Sequence, residues 1–341
     1  MEQLQDLVRW YVDTRPLTST TATLPLLDTL QPADQETAKK YYHLSDKHMS
    51  LASYLLKYLF IHRTCRIPWK EVSISRTPAP HSRPCFIPSP SILNNGQPIP
   101  SIEFNVSHQA SLVGLAGTTT PSSPNIPGTQ PTTAVFAQPN PSSTPISSVP
   151  QVGIDITCVN ERRNGKSNGP TTIQAFREFV DIFAEVFSQR ELETIKTLPP
   201  GCSVDEAVQA GLRLFYTYWA LKEAYIKMTG EALLAPWLRE LEFTNVVAPS
   251  PKFGQSSGWN NPYTGVQAWL YGKIVEDVRI DVVAYEKDYI VATAARGGGI
   301  GAGSHPAVDG TDSTDPWQQM QKIDIEKDIA PCATGSCRCL D

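Results

Sequence analysis

Of the 341 residues, none form an apolar run approaching the ~18–20 needed to span a bilayer, and none form a long basic run. The first absence predicts a chain that does not cross a membrane. The second, with a formal net charge of −5, argues against a nucleic-acid-binding protein. The opening residues, MEQLQDLVRWYVD, are charged where a secretory leader would be apolar, so the reading is a soluble, cytoplasmic protein. Charge is sparse too, at 18% of residues. Cysteines are few and odd in number: seven, scattered at 65, 85, 158 and 202, with Cys332, Cys337 and Cys339 crowded at the end. That spacing offers no disulfide framework; reduced thiols are the expectation, with a metal clip at the terminal trio the lesser one.

What is present is a hydrophobic fraction of 40%, enough for a sizeable core, and a length that allows about two domains. Proline is abundant, at 29 residues, and concentrates with Ser, Thr and Gly at 117–150. That stretch is expected to be a solvated insertion, with Thr133–Ala137 as its one strand-forming island. From 1 to about 75 the chain reads mostly helical, its strongest piece being DKHMSLASYLLKYLFIHRT. Strands are expected at Val72–Ile74, Ile102–Val106, Ser111–Ala116, Val152–Thr157, Gln267–Lys273, Arg279–Tyr285 and Tyr289–Ala295. Helices are expected over Ile173–Phe187 and through GLRLFYTYWALKEAYIKMTG. The runs SLVGLA and YIVATAA echo one another, each a small apolar strand late in its half, which points to two α+β halves. From Gly297 onward the expectation is a disordered tail, with a short helix near Trp317–Lys327.

Three short stretches carry the chemistry. In WALKEAYIK, Trp219, Glu223 and Lys227 are each four apart and stack on one stripe of a helix, with Lys222 beside them. For an isolated helix this is an ordinary Glu-to-Lys surface pair worth roughly 0.2–0.5 kcal/mol. In VGIDIT, alternation places Asp155 and Thr157 on the same face of a strand. In FNVSH, His108 follows Ser107 where a strand gives way to a turn. Taken together, Asp155 and Glu223 could supply two hard oxygen ligands to Mg²⁺, while Lys222, Lys227 and His108 could neutralise phosphate. Singly, His108 reads as a structural histidine and Asp155 as a strand-end carboxylate.

The three boxes, in this order, resemble those of the 4'-phosphopantetheinyl transferases, in particular the larger surfactin-synthetase-activator type and the broad-range fungal enzymes. Phe104, Asn105, Val106, Ser107 and His108 match the first box; Gly153, Ile154, Asp155 and Ile156 the second; Trp219, Lys222, Glu223 and Lys227 the third. The resemblance spans roughly 40–296 and leaves out the Pro-rich insertion and the tail. It implies an α+β fold of two similar subdomains related by a pseudo-twofold axis, here 1–151 and 152–296, with the active site in the cleft between them. It also implies transfer of the phosphopantetheine arm of coenzyme A to a serine of an apo-carrier protein, with Mg²⁺ as cofactor and adenosine 3',5'-bisphosphate released.

Carried over by position, Asp155 and Glu223 would hold the metal, with Glu223 also the base for the carrier serine. Lys222 and Lys227 would contact the CoA diphosphate, Lys227 at the leaving group. Ser107 and His108 would meet the adenosine 3'-phosphate, and Lys47 and Arg83 would complete that pocket. Thr157 stands where relatives have a third acidic ligand, so a water is expected to fill that place. The implied partners are apo acyl- and peptidyl-carrier domains of fatty-acid, polyketide, nonribosomal-peptide and lysine-pathway enzymes, and the implied state is a monomer. The competing readings are another Mg²⁺-dependent enzyme acting on a nucleotide diphosphate, which product identity would separate, and a non-catalytic CoA-binding scaffold, which would bind without turnover.

Overall fold

The computed structural model describes residues 6–78, 82–88, 99–119, 149–160, 169–231, 235–251, 258–304 and 315–340. Most of the Pro-rich insertion, including Thr133–Ala137, and residues 305–314 of the tail lie outside them. Among the described residues no helix is long and apolar enough to cross a membrane.

The architecture is α+β, and one topology occurs twice. In the first half, β1 (Leu7–Asp13) is followed by helices that culminate in α1 (Leu44–Cys65), then by the hairpin of β2 (Ile102–Gln109) and β3 (Leu112–Thr119). In the second, β4 (Gln151–Cys158) leads through α2 (Ile173–Asp181), α3 (Gln189–Lys196) and α4 (Val204–Thr229). A short strand, β5 (Leu241–Thr244), and the hairpin of β6 (Val278–Tyr285) and β7 (Tyr289–Arg296) complete it. Each time the opening strand pairs antiparallel with the second strand of the hairpin: β1 with β3, and β4 with β7. The echo between SLVGLA and YIVATAA has this cause, since β3 and β7 hold equivalent places, each paired with its hairpin partner and with the opening strand of its half.

Each sheet carries its long helix on one face. Trp10 and Phe104 meet Phe60 of α1 with ring centroids 5.9 and 5.8 Å apart. On the other sheet, β4 lies so close to α4 that a Cβ at Gly153 would stand 2.0 Å from the Ala224 carbonyl oxygen. The opposite faces of the two sheets share a third apolar cluster, with Leu7, Tyr11 and Ala116 from one and Val152, Ile154, Ile156 and Val291 from the other. Burial of this kind contributes roughly 25 cal/mol per Å² of apolar surface and is what holds the halves together.

Along one edge the sheets are joined by side chains alone. Asn105 Oδ1, Ser107 Oγ and Gln109 Oε1 of β2 accept hydrogen bonds from the backbone N–H groups of Ile154, Ile156 and Cys158 at 3.1, 3.2 and 2.9 Å. Glu103 accepts from Val152 in the same way, and Arg83 donates to the Val152 carbonyl oxygen at 3.3 Å. Strand alternation makes this ladder possible, because residues 103, 105, 107 and 109 all point to one side of β2.

Three expectations are corrected. Leu7–Asp13 is a strand, although the first 75 residues read as helical: Trp10 and Val12 pack toward α1 while Leu7 and Tyr11 face the other cluster. A strand buried on both faces shows no alternation to read. The helix expected over Ile173–Phe187 ends at Asp181; a turn follows, and Ser188 with Glu191 forms the capping box that starts α3.

The tail is the third correction, for residues 315–340 are folded. Trp317–Lys322 forms β8, parallel to β1, and Ile323, Ile329 and Cys332 are buried behind it. The stretch expected as a helix is polar because it is an edge strand with one exposed side, Gln318 and Gln319 lying outward. Asp315 fixes its start, accepting from Arg279 at 2.6 and 2.9 Å; Arg279 and Arg9 in turn flank the buried Asp281.

Candidate active site

The boxes meet where β4 lies against α4. Helix α4 is well specified locally, with a capping box of Ser203 and Glu206 at its start and Gly230, φ 82°, ending it in the left-handed conformation. Its Glu223 and Lys227, one turn apart, face β4. The absence of a side chain at Gly153 lets the strand sit directly on the helix backbone between them. This close approach brings the Lys227 ammonium 2.6 Å from Asp155 Oδ1 and 4.0 Å from Glu223 Oε2.

Ser107 completes the group. Its hydroxyl donates to Asp155 Oδ1 at 3.0 Å and accepts from Lys227 Nζ at 3.0 Å. On the other oxygen of Asp155, the Thr157 hydroxyl stands at 3.5 Å, on the face alternation predicts. Asp155 is buried, whereas Lys227 keeps 26% of its side-chain surface. Desolvation, only partly offset by Lys227 and reinforced by the charge of Asp155, pushes the Glu223 carboxyl above its ordinary range.

The other expected residues divide. His108 alternates with Ser107 along β2, and the cations that act on it are Lys227 of the group around Asp155 and then Lys57 of α1. Desolvation, then the charges of Lys227 and Lys57, holds its imidazole below the ordinary range. Lys47 lies half-buried on α1, on the helical stripe that continues through Tyr54 to Lys57. Arg83 is committed elsewhere, to Glu103 at 2.7 Å.

Lys222 departs furthest from expectation. Its side chain is wholly buried on the far side of the helix stripe, ion-paired to Glu191 at 2.9 Å and hydrogen-bonded to the carbonyl oxygens of Leu238 and Leu241. It holds α4 to α3 and β5 and does not reach the group around Asp155. Trp219 is structural as well, packed against Phe183 and Phe215.

Two cations were missed. Lys57 is 7% exposed, its ammonium 3.9 Å from the Tyr54 ring centroid, with no carboxylate at ion-pair distance among the described residues. Burial pushes it down to about 8; Asp34 pulls the other way, and Arg76 adds to the lowering. With Arg76 it makes a cationic wall on the α1 side, and the charge of Lys57 reaches His108. The sequence signal was a lysine inside the apolar face of a long helix, a position that seldom holds one without a purpose.

Comparison with known proteins now joins the geometry. The family profile described as "4'-phosphopantetheinyl transferase, N-terminal" matches residues 17–120, and that of the "4'-phosphopantetheinyl transferase superfamily" matches 151–294. The gap between them coincides with the Pro-rich insertion. Among curated proteins, "4'-phosphopantetheinyl transferase A" of Aspergillus fumigatus is 63% identical, over 99% of this chain and 97% of its own length. "4'-phosphopantetheinyl transferase NpgA" of Emericella nidulans is 56% identical, over 98% and 96%. More distantly, the human "L-aminoadipate-semialdehyde dehydrogenase-phosphopantetheinyl transferase" is 28% identical over 63% of this chain and 52% of its own. With its three boxes gathered between β4 and α4 and this identity over nearly its whole length, the chain belongs to the 4'-phosphopantetheinyl transferase family.

Proposed function

We propose that this chain transfers the 4'-phosphopantetheine arm of coenzyme A to a serine hydroxyl of apo-carrier proteins, releasing adenosine 3',5'-bisphosphate, in a cleft between two halves related by a pseudo-twofold axis. The observation that carries the reading is the convergence of Asp155, Glu223 and Lys227, two carboxylates around one ammonium, at the β4–α4 contact. In the reaction the serine oxygen bonds to the phosphorus that bears pantetheine, and the bond from that phosphorus to the adenosine 5'-phosphate oxygen breaks. The serine proton goes to Glu223, whose carboxylate faces the same group as Asp155 and Lys227.

Asp155 and Glu223 would hold Mg²⁺, and the donor set fits: carboxylate oxygens, with the Thr157 hydroxyl alongside, are the hard ligands Mg²⁺ takes while keeping several waters. The site already tolerates a positive charge there, since the Lys227 ammonium stands between the two carboxylates. When bound, the metal supplies charge neutralisation on the diphosphate and alignment for displacement at phosphorus. Lys227 is positioned to neutralise the leaving phosphate. Lys57, Arg76 and His108 receive the 3'-phosphate; of the others expected there, Lys47 lies on the same stripe of α1, while Ser107 is bonded to Asp155 and Arg83 to Glu103.

The partners proposed are acyl and peptidyl carriers of fatty-acid, polyketide, nonribosomal-peptide and lysine-pathway enzymes, acted on by a monomer. The printed name of the human relative makes a lysine-pathway carrier a natural member of the panel. Incubation with CoA, Mg²⁺ and a panel of such apo-carriers, read by intact mass, should add one phosphopantetheine to a carrier and stop on adding EDTA. CoA binding with every carrier left unmodified would sink the proposal.

A further inference from the structure

We propose that the C-terminal segment is locked to α1 by a structural zinc ion held by His62, Cys332, Cys337 and Cys339. These four ligand atoms lie within 4.8 Å of one another, the one such group of at least three among the described residues. The His62 Nε2 to Cys337 Sγ distance is 3.3 Å, and Cys332 Sγ to Cys339 Sγ is 3.6 Å. A tetrahedral site with Zn–S of about 2.3 Å and Zn–N of about 2.0–2.1 Å requires S···S near 3.8 Å and S···N near 3.5 Å. Two of the six edges therefore stand close to those of a zinc tetrahedron, and the other four lie within 4.8 Å, so closing the site needs only small side-chain adjustments. Four protein ligands with no open position is the closed arrangement of a structural site, distinct from a hydrolytic one.

The histidine is prepared for this role. His62 is 1% exposed, and its Nδ1 lies 2.7 Å from the Ile67 carbonyl oxygen, an atom that can only accept. The proton is therefore on Nδ1, and the bare lone pair of Nε2 is aimed at the thiols. The backbone turn that provides this acceptor is made by Arg66, left-handed at φ 51° directly after α1. Nearby, the Arg63 guanidinium donates to the Asp328 carbonyl oxygen at 2.9 Å and supplies a positive charge beside a Cys₃His–zinc centre whose net charge is −1.

Such a clip explains how a polar, late segment stays folded. Strand β8 contributes few apolar contacts, Trp317 apart, and the helical turns after it rest on Ile323, Ile329 and Cys332, so a tie at Cys332 secures the last of these contacts. Tied at His62, the turn closes over the C-terminal end of α1. Lys57, the α1 residue of the proposed phosphate pocket, is five residues nearer the helix start, about 7.5 Å along the axis and about 140° round it, so the two sites lie on different faces of α1. Nothing in this inference depends on the transfer reaction.

The test is elemental and spectroscopic. Full-length protein purified in reducing buffer without chelator is expected to carry one zinc per chain by plasma mass spectrometry, released stoichiometrically when the thiols are titrated with a mercurial. Cobalt exchange should give thiolate-to-metal charge-transfer absorption and the intense visible bands of a tetrahedral site. Both should persist in Cys202→Ser, an exposed cysteine outside the group, and be lost in Cys339→Ser. Reduced, folded wild-type protein that neither contains zinc nor takes up added zinc or cobalt would overturn the proposal without any variant being needed. So would a folded Cys339→Ser that keeps a full equivalent of zinc and an unaltered cobalt spectrum, or a native mass two hydrogens low with Cys332 linked to Cys339.

Discussion

The Lys227 ammonium and the Asp155 carboxylate, contributed by α4 and β4, stand 2.6 Å apart, with Glu223 on the other side of the same ammonium. A single cation thus holds two carboxylates in place between elements that share no backbone hydrogen bonds. Glu223→Gln removes a metal ligand and the base without changing helix packing, and initial rates are expected to fall by roughly 10²–10⁴. Thr157→Ala should cost little if water already fills that position. Thr157→Glu should lower the Mg²⁺ concentration needed for half-maximal rate, since it adds a carboxylate on the Asp155 face. Mg²⁺ titrations of the three variants decide this, and a nearly active Glu223→Gln would refute the ligand assignment.

Lys222 separates a structural from a substrate role. Its burial against Glu191 means that Lys222→Met strands a carboxylate in the core, at a cost of about 3–5 kcal/mol. Urea unfolding should show that loss, and Glu191→Gln in the same chain should recover part of it. Enzyme that remains folded should keep its KM for CoA. A KM raised severalfold with unchanged stability would return Lys222 to the diphosphate.

The cationic wall predicts a pH dependence. Lys57 in the free protein sits at about 8, and pairing with a phosphate raises it toward the ordinary lysine value. The charge it offers is therefore complete below about 8 and is lost as pH climbs toward that higher value. Affinity for adenosine 3',5'-bisphosphate, measured by calorimetry between about pH 7 and pH 10, should weaken across this window. Lys57→Met should bind less tightly at the lower end and flatten the curve. An unchanged curve would remove Lys57 from the pocket.

Deletions at the two Pro- and Gly-rich regions should behave oppositely. Removing most of 120–148 is expected to leave activity and melting temperature nearly unchanged, because that composition lacks apolar periodicity and loop closure depends only weakly on length. Ending the chain after Ser304 removes β8 and Asp315, leaving Arg9 and Arg279 buried with Asp281 as their only carboxylate from this network. That truncation should lower the melting temperature markedly or abolish soluble expression. Survival without loss would show the tail to be dispensable.

What could be read from the sequence was whatever left a local trace. The helix through GLRLFYTYWALKEAYIKMTG, the alternation through VGIDIT and the hairpin strands were legible because each obeys a short-range rule. Asp155 and Glu223 were legible because their boxes are contiguous. Leu7–Asp13 and Trp317–Lys322 were not, since one is buried on both faces and the other is polar, and each is a strand through partners far along the chain, β3 for the first and β1 for the second. Lys222 misled because adjacency in a box does not tell which side of a helix a residue faces; the partner that claims it, Glu191, lies 31 positions earlier. Likewise Cys332, Cys337 and Cys339 acquire a fourth companion only when the tail folds back to His62.

The side-chain ladder between β2 and β4 bears on the exposure of strand edges. Both strands are terminal in their sheets, and a bare strand edge is a template for recruiting another chain. Here Glu103, Asn105, Ser107 and Gln109 occupy the N–H groups of β4, so the two halves blunt each other's edges without fusing into one continuous sheet. Cut the chain at the Pro-rich insertion and each half would carry a raw edge into solution, open to self-association. Cover for these edges is a property that neither half owns and that the seam between them confers.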